Sequence, residues 1–284
     1  MINRAGERIE QLAVLDRIAR PVAAKVSAAL GRTRLKDLLS GSWLGHPLHP
    51  LLTDLPIGAW TSAMLLDLMG GRRAAPAADL LVAAGIAAAV PTAASGISDW
   101  SDLGQRDQRV GLVHAAANVI GIGFYTASLI ARLGGRRPRG VGLSLVGAAA
   151  LTAGGLLGGH LVYRRGAGVD HTTFDNGPQD WTRLDVTSEL TNDQPVVARA
   201  GDVDVMVVKH GERLCGLADR CTHQGGPLHE GELVDGRVRC PWHASEFRLS
   251  DGAVLRGPAT APQPTYEVRV EAGALSARAA SEGA

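Results

Sequence analysis

The sequence predicts two folds in one chain: an α-helical transmembrane four-helix bundle followed by a small all-β, antiparallel domain. Three observations carry this. Residues 80–98 (LLVAAGIAAAVPTAASGIS), 110–131 and 140–163 contain no Lys, Arg, Asp or Glu, and each run is long enough to cross a bilayer as a helix. The last hundred residues break into short β-branched runs separated by Asp235-Gly236, Asp251-Gly252 and Ala272-Gly273, the first two being strong hairpin signals. Charge divides along the same line: residues 171–284 hold 11 basic and 17 acidic side chains against 18 and 11 before them, so the net charge of +1 averages two unlike halves.

Taken in order, residues 1–40 mix aliphatic residues with eight basic and four acidic ones at roughly helical spacing, the pattern of an amphipathic N-terminal segment lying at a surface. No secretory signal is visible there. Residues 41–165 form the transmembrane domain. Its first helix, from about Leu51 to Met69, is the weakest because Asp54 and Asp67 interrupt its apolar run. On the last helix Gly154, Gly158, Gly155 and Gly159 give two small-xxx-small spacings that permit close backbone approach to a neighbour. Residues 166–180 read as a polar, glycine-bearing linker, and 181–284 as the β domain.

Composition narrows the function. Aromatic residues make up 4% of the chain and glycine reaches 36 residues, which suits closely packed membrane helices better than a large soluble core. Nothing indicates nucleic acid. Three cysteines, at 215, 221 and 240, are too few for a disulfide framework, and two of them stand beside histidines, which points to metal.

That spacing lies in CTHQGGPLHEGELVDGRVRCPWHASEF: Cys221-x-His223, sixteen residues, then Cys240-x-x-His243. Two loops would each supply one sulfur and one nitrogen. A structural zinc site uses the same side chains, although this is not the usual finger spacing. Cys215, in the strand-like RLCGL, reads as a small buried hydrophobe, and His229 as a loop histidine off the ligand pattern.

Residues from about 181 to 280 closely resemble the Rieske family, in which two cysteines bind one iron and two histidines the other iron of a [2Fe-2S] cluster. The resemblance implies that Cys221, His223, Cys240 and His243 are the ligands and that the protein transfers electrons. It also implies that Gly225-Gly226 lets the first loop turn and that Gly257-Pro258 belongs to a loop covering the cluster. Imidazoles in place of thiolates make the oxidised cluster formally neutral, which raises its potential; exposed histidine nitrogens would couple electron to proton transfer. Members from cytochrome bc complexes carry an extra cysteine pair, and here those positions are Gly226 and Trp242. The serine that donates to a cluster sulfide in that branch is matched by Ser245, whereas the tyrosine position is Phe247, which has no hydroxyl. The sequence therefore resembles the ferredoxin-like branch, with a potential below that of the quinol-oxidising one. The mononuclear iron domain of an oxygenase is not expected, since too little chain follows the cluster motif.

Four helices zigzagging through a bilayer would gather His46, His49, His114 and His160 at one depth, and intramembrane polar groups are costly enough to suggest function. Two histidines could ligate a b-type haem, the side chains could bind a quinone headgroup, or they could hydrogen-bond across the bundle. The motifs HPLHPLLTDLPIG and GISDW resemble a family of four-helix bacterial membrane proteins with no assigned function, over about residues 41–165. The expectation is a membrane-anchored protein in the bacterial inner membrane, exchanging electrons between a soluble redox donor or acceptor and a haem or quinone. A quinone-dependent oxidoreductase subunit and a redox sensor are the alternatives. Arg72, Arg73, Arg132, Arg136, Arg137 and Arg139 lie in short loops without an acid on one side, but eight basic residues flank helix ends on the other, so charge does not decide orientation. The lack of an export signal favours a cytoplasmic β domain.

Overall fold

The computed structural model describes residues 2–31, 33–186, 189–271 and 273–280; Ala272 of the third turn lies outside them. The chain forms two compact units. One comprises Met1–Gly31 and Leu48–Ala167, the other Arg32–Pro47 and Gly168–Ala284. Residues 32–47 thus belong with the β domain. The helices are α1 (Ile2–Glu10), α2 (Asp16–Leu30), α3 (Arg34–Ser40), α4 (Leu48–Met69), α5 (Ala75–Trp100), α6 (Gln105–Leu133) and α7 (Arg137–Gly159), the last continuing into one π-helical turn over His160–Arg164.

In the first unit, α5, α6 and α7 are long and apolar enough to cross a membrane. The fourth long helix, α4, is interrupted by Asp54 and Asp67 and lacks that signature, so among the described residues three of the four expected helices are candidate membrane spans. Pro76 and Pro138 sit in the first turns of α5 and α7, where a missing N–H costs nothing. Leu80, Val90, Val119 and Ile130 are each 67–70% exposed, a surface that suits lipid rather than water.

Small residues let the helices meet. Trp60 stacks on Tyr125 with centroids 4.2 Å apart and donates its indole N–H to the Val82 carbonyl, filling the space left beside Gly85. A Cβ on Gly147 would lie 3.1 Å from the Gly121 carbonyl oxygen, so α6 and α7 approach backbone to backbone. Of the two predicted glycine spacings, Gly154 and Gly158 pack on Asn118 and His114 of α6, whereas nothing lies within 4 Å of a Cβ at Gly155.

The predicted acid-free arginine loops need correction. The Arg132 side chain is fully buried on α6 and donates to Asp67 of α4 and Asp79 of α5, both at 3.0 Å. Arg137 joins the same carboxylates at 2.6 and 2.7 Å. Helical acids, distant in sequence, therefore neutralise two of the arginines that a loop count treats as free.

The second unit is a pair of antiparallel sheets. The strands are β1 (Thr182–Arg183), β2 (Asp185–Val186), β3 (Val196–Ala200), β4 (Val203–His210), β5 (Arg213–Ala218), β6 (Glu232–Val234), β7 (Arg237–Arg239), β8 (Glu246–Arg248), β9 (Val254–Arg256), β10 (Thr265–Glu271) and β11 (Ala274–Ala279); the larger sheet has the order β1-β11-β10-β5-β4-β3-β2 and the smaller β6-β7-β8-β9. The run Val205, Met206, Val207, Val208 on β4 is buried throughout because both faces of this strand are covered. Asp235 and Gly236 take φ of +49° and +73° in a two-residue turn joining Val234 to its partner Arg237, the hairpin the sequence signals. Met206, Val208, Leu217, Leu228, Val238 and Phe247 form one core that includes Cys221 and Cys240.

Candidate metal centre

The two motif loops leave β5 and β7 and share one backbone pattern. The Cys221 N–H donates to the Gly226 carbonyl at 2.9 Å and the Gly225 N–H returns to the Cys221 carbonyl at 2.8 Å. In the second loop the Cys240 N–H donates to the Ser245 carbonyl at 2.8 Å, and the Ala244 N–H returns to the Cys240 carbonyl at 3.1 Å. The fifth residue of each loop has positive φ, +73° at Gly225 and +61° at Ala244. Glycine adopts that conformation freely, while alanine there costs about 1 kcal/mol.

This pattern turns backbone N–H groups toward both sulfurs: those of His223 and Gln224 toward Cys221, and those of Trp242 and His243 toward Cys240. The two buried thiols hydrogen-bond each other; that bond and the N–H groups lower the Cys240 pKa to about 7, while Cys221 is raised because its neighbour takes the charge. The imidazoles of His223 and His243 lie with centroids 5.1 Å apart, edge to face. Sulfur is thus grouped with sulfur and nitrogen with nitrogen. A Cβ at Gly226 would come 2.9 Å from Cys240 Sγ and 3.1 Å from the Trp242 ring, so in this chain the first loop passes close to the second because residue 226 is glycine.

Surrounding groups hold the loops in place. Gln263, almost fully buried, donates to the carbonyls of Ala218 and Arg220 at 2.7 and 2.6 Å and accepts the Thr222 N–H at 3.2 Å. Asp219 accepts both the backbone N–H and the ring of His229 at 2.8 Å. Ser245 Oγ accepts the Ala259 N–H at 2.9 Å, which leaves its own proton available to another acceptor. Phe247 is fully buried, Pro258 is buried next to Ala259, and Trp242 is 57% exposed beside His243.

His223 and His243 are half-buried, less open than the sequence led one to expect, while the neighbouring Trp242 is exposed. Burial lowers the His223 pKa well below the usual histidine range, and the charges of His243, Lys36 and His171 act in the same direction. Two neighbours come from outside the motif. The His171 N–H donates to the Thr222 carbonyl at 3.0 Å, and α3 lies against the Arg256–Gly257 loop. Neither has a sequence signal, because each lies far from the ligand motif.

Residues 180–267 match the Rieske [2Fe-2S] domain model. The anthranilate 1,2-dioxygenase ferredoxin subunit of Burkholderia cepacia is 33% identical over 91 residues, 32% of this chain and 84% of that protein. The chain belongs to the Rieske family. The cytochrome b6-f complex iron-sulfur subunit of Chlorobaculum tepidum is 32% identical over 31% of this chain and 48% of its own length. Among solved structures, the ferredoxin of carbazole 1,9a-dioxygenase from Nocardioides aromaticivorans aligns with 35% of this chain and 98% of its own at 22% identity and a TM-score of 0.33. Residues 45–171 match a predicted membrane protein family, DUF2231. A Rieske domain implies a [2Fe-2S] cluster, and the paired thiols and paired imidazoles are a donor set that fits one: two borderline nitrogens and two soft sulfurs, with N–H groups aimed at the sulfurs.

Of the four membrane-domain histidines, the structure brings two together. His49 of α4 and His114 of α6 have ring centroids 6.4 Å apart. Nδ1 of each faces a backbone carbonyl, that of Thr92 at 2.9 Å and of Gly154 at 2.7 Å. Asn118 Nδ2 lies 3.0 Å from His114 Nε2. His160 is buried and pairs with Glu10 at 2.7 Å, and His46 is exposed in the other unit.

Proposed function

We propose that this Rieske protein is a membrane-anchored electron carrier, passing single electrons between a soluble donor or acceptor and a carrier held in its membrane domain. The observation that carries this is the joining, in one chain, of the Cys221, His223, Cys240 and His243 constellation to helices that fit a bilayer. Relatives described as a dioxygenase ferredoxin subunit and as a cytochrome b6-f complex iron-sulfur subunit support an electron-transfer role.

In this proposal Cys221 and Cys240 ligate one iron and His223 and His243 the other, and the bound cluster supplies a one-electron couple. The protein's own contribution is electrostatic and steric. Backbone N–H groups at the two sulfurs stabilise the added negative charge of the reduced state, the Ser245 hydroxyl is available to do the same, and the Phe247 core excludes water from the cysteine side. Trp242 and His243 form the more open edge, where a soluble partner would dock.

The His49 and His114 pair is the proposed seat of the membrane carrier. Anchoring Nδ1–H on a carbonyl fixes the tautomer and leaves Nε2 as a ligand or acceptor, which suits a b-type haem. The Asn118 amide beside His114 Nε2 favours the second reading, a quinone headgroup held by hydrogen bonds. The proposed location is the bacterial inner membrane with the Rieske domain cytoplasmic.

Protein purified from membranes should show the electron paramagnetic resonance of a reduced Rieske cluster, lost in Cys240→Ser; its absence in iron-replete wild-type protein would refute the assignment. A Soret band lost in His114→Ala would establish haem, and quinol-dependent cluster reduction without a Soret band would establish quinone. Digestion of the Rieske domain in intact cells would overturn the cytoplasmic placement.

A further inference from the structure

Helix α3 precedes the membrane domain in sequence, yet it belongs to the Rieske unit. Asp37 latches it there: one carboxylate oxygen accepts the Gly257 N–H at 3.0 Å, and the other accepts from Arg256 Nε at 2.8 Å. The helix turns its apolar side outward. Lys36 and Ser40, one turn apart, are buried, whereas Leu35 and Leu38 are each 51% exposed and Trp43 is 63% exposed. The Trp43 indole N–H donates to the Leu38 carbonyl at 3.2 Å, which keeps the ring with this face. A helix facing water puts leucine inward and lysine outward; this one does the reverse.

Two further observations identify what covers that face. Trp43 stands five residues before Leu48, the start of α4, so the chain can carry it no more than about 18 Å from the first helix of the membrane domain. The return connection passes beside the outgoing one, since a Cβ at Gly168 would lie 3.4 Å from Pro47, and it carries Phe174, 90% exposed. Tyr163, 92% exposed, lies in the π-helical turn that ends the last long helix. Among the described residues, Trp43, Tyr163 and Phe174 are thus three of the four aromatic side chains more than half exposed, and all three flank the ends of membrane-domain helices. Aromatic side chains gather at the headgroup level of bilayers, where an apolar body and a polar edge are both satisfied.

We propose that α3 is a membrane-surface anchor, with Leu35, Leu38 and Trp43 seated in the headgroup layer of the bilayer. Arg34, exposed and next in sequence to Leu35, adds attraction to anionic headgroups. Because Asp37 ties α3 to the Arg256–Gly257 loop, lipid contact here holds the Rieske unit at the bilayer surface instead of leaving it to swing on its two connections.

The test places the full chain in nanodiscs containing a phospholipid with a photoactivatable diazirine near the headgroup end of its acyl chain, and maps lipid adducts by mass spectrometry after irradiation. Adducts should form on α5, α6 and α7, which serve as the internal control, and also on the 34–43 segment. Labelled membrane helices with no adduct on 34–43 overturn the proposal, and so does a cross-link of that segment to a second copy of the chain in place of lipid. Leu35→Gln with Leu38→Gln, at two exposed positions, should lower the 34–43 adducts several-fold and speed protease cleavage in the 166–180 connection several-fold. Equal adducts, or equal cleavage, in variant and wild type overturn the anchor. The readout is lipid contact, so it is independent of the cluster ligands.

Discussion

Asp37 and Gly257, 220 positions apart, are joined by a 3.0 Å hydrogen bond in which the carboxylate accepts the backbone N–H. The same carboxylate holds Arg256. A bond to a charged acceptor contributes about 1.5–3 kcal/mol and a partly exposed ion pair at most about 1 kcal/mol. Asp37→Ala should therefore destabilise the Rieske unit by about 2 kcal/mol, measured as earlier loss of cluster absorbance on heating.

Gly226 stands where another Rieske branch carries a cysteine. Because a Cβ would lie 2.9 Å from Cys240 Sγ, Gly226→Ala must displace a proposed ligand or the loop that carries it. Iron per protein should fall well below wild type while the helical circular dichroism stays unchanged. Full occupancy would show that the loop yields more easily than its geometry implies.

The midpoint potential should fall below about +200 mV, inside the broad Rieske range of about −150 to +300 mV, because Phe247 brings no hydroxyl to the cluster. His243→Cys should move it toward the roughly −400 mV of all-cysteine clusters, since a thiolate adds a negative charge that an imidazole lacks. Redox titration of both proteins checks the order.

The Arg132 and Asp67 pair is the buried charge centre of the membrane unit, with side-chain exposures of 0% and 2%. Removing one partner strands the other, at a cost of about 3–5 kcal/mol. Asp67→Asn should lower the unfolding temperature of the helical unit in detergent. Replacing the pair together, Arg132→Met with Asp67→Leu, should recover part of the loss.

Much of this was legible in the chain itself. Uncharged runs set the membrane helices, because lipid leaves a polar side chain no cheap partner. Asp-Gly placed the Asp235-Gly236 hairpin, because few other residues accept two successive positive φ values. The C-x-H and C-x-x-H spacing marked the candidate metal centre, because each loop is local and its residue order nearly fixes its shape. What remained hidden depends on distant segments meeting. Neither the neutralisation of Arg132 by Asp67 and Asp79 nor the separation of His160 from the His49 and His114 pair follows from helix order, since helix rotation and depth are decided by packing. The placement of Asp37 against a loop more than 200 residues later has no local signature. Sequence alone determined which elements exist and which chemistry they carry; tertiary structure decided which charges and histidines meet, because those contacts arise only when separately encoded elements compete for the same buried surface.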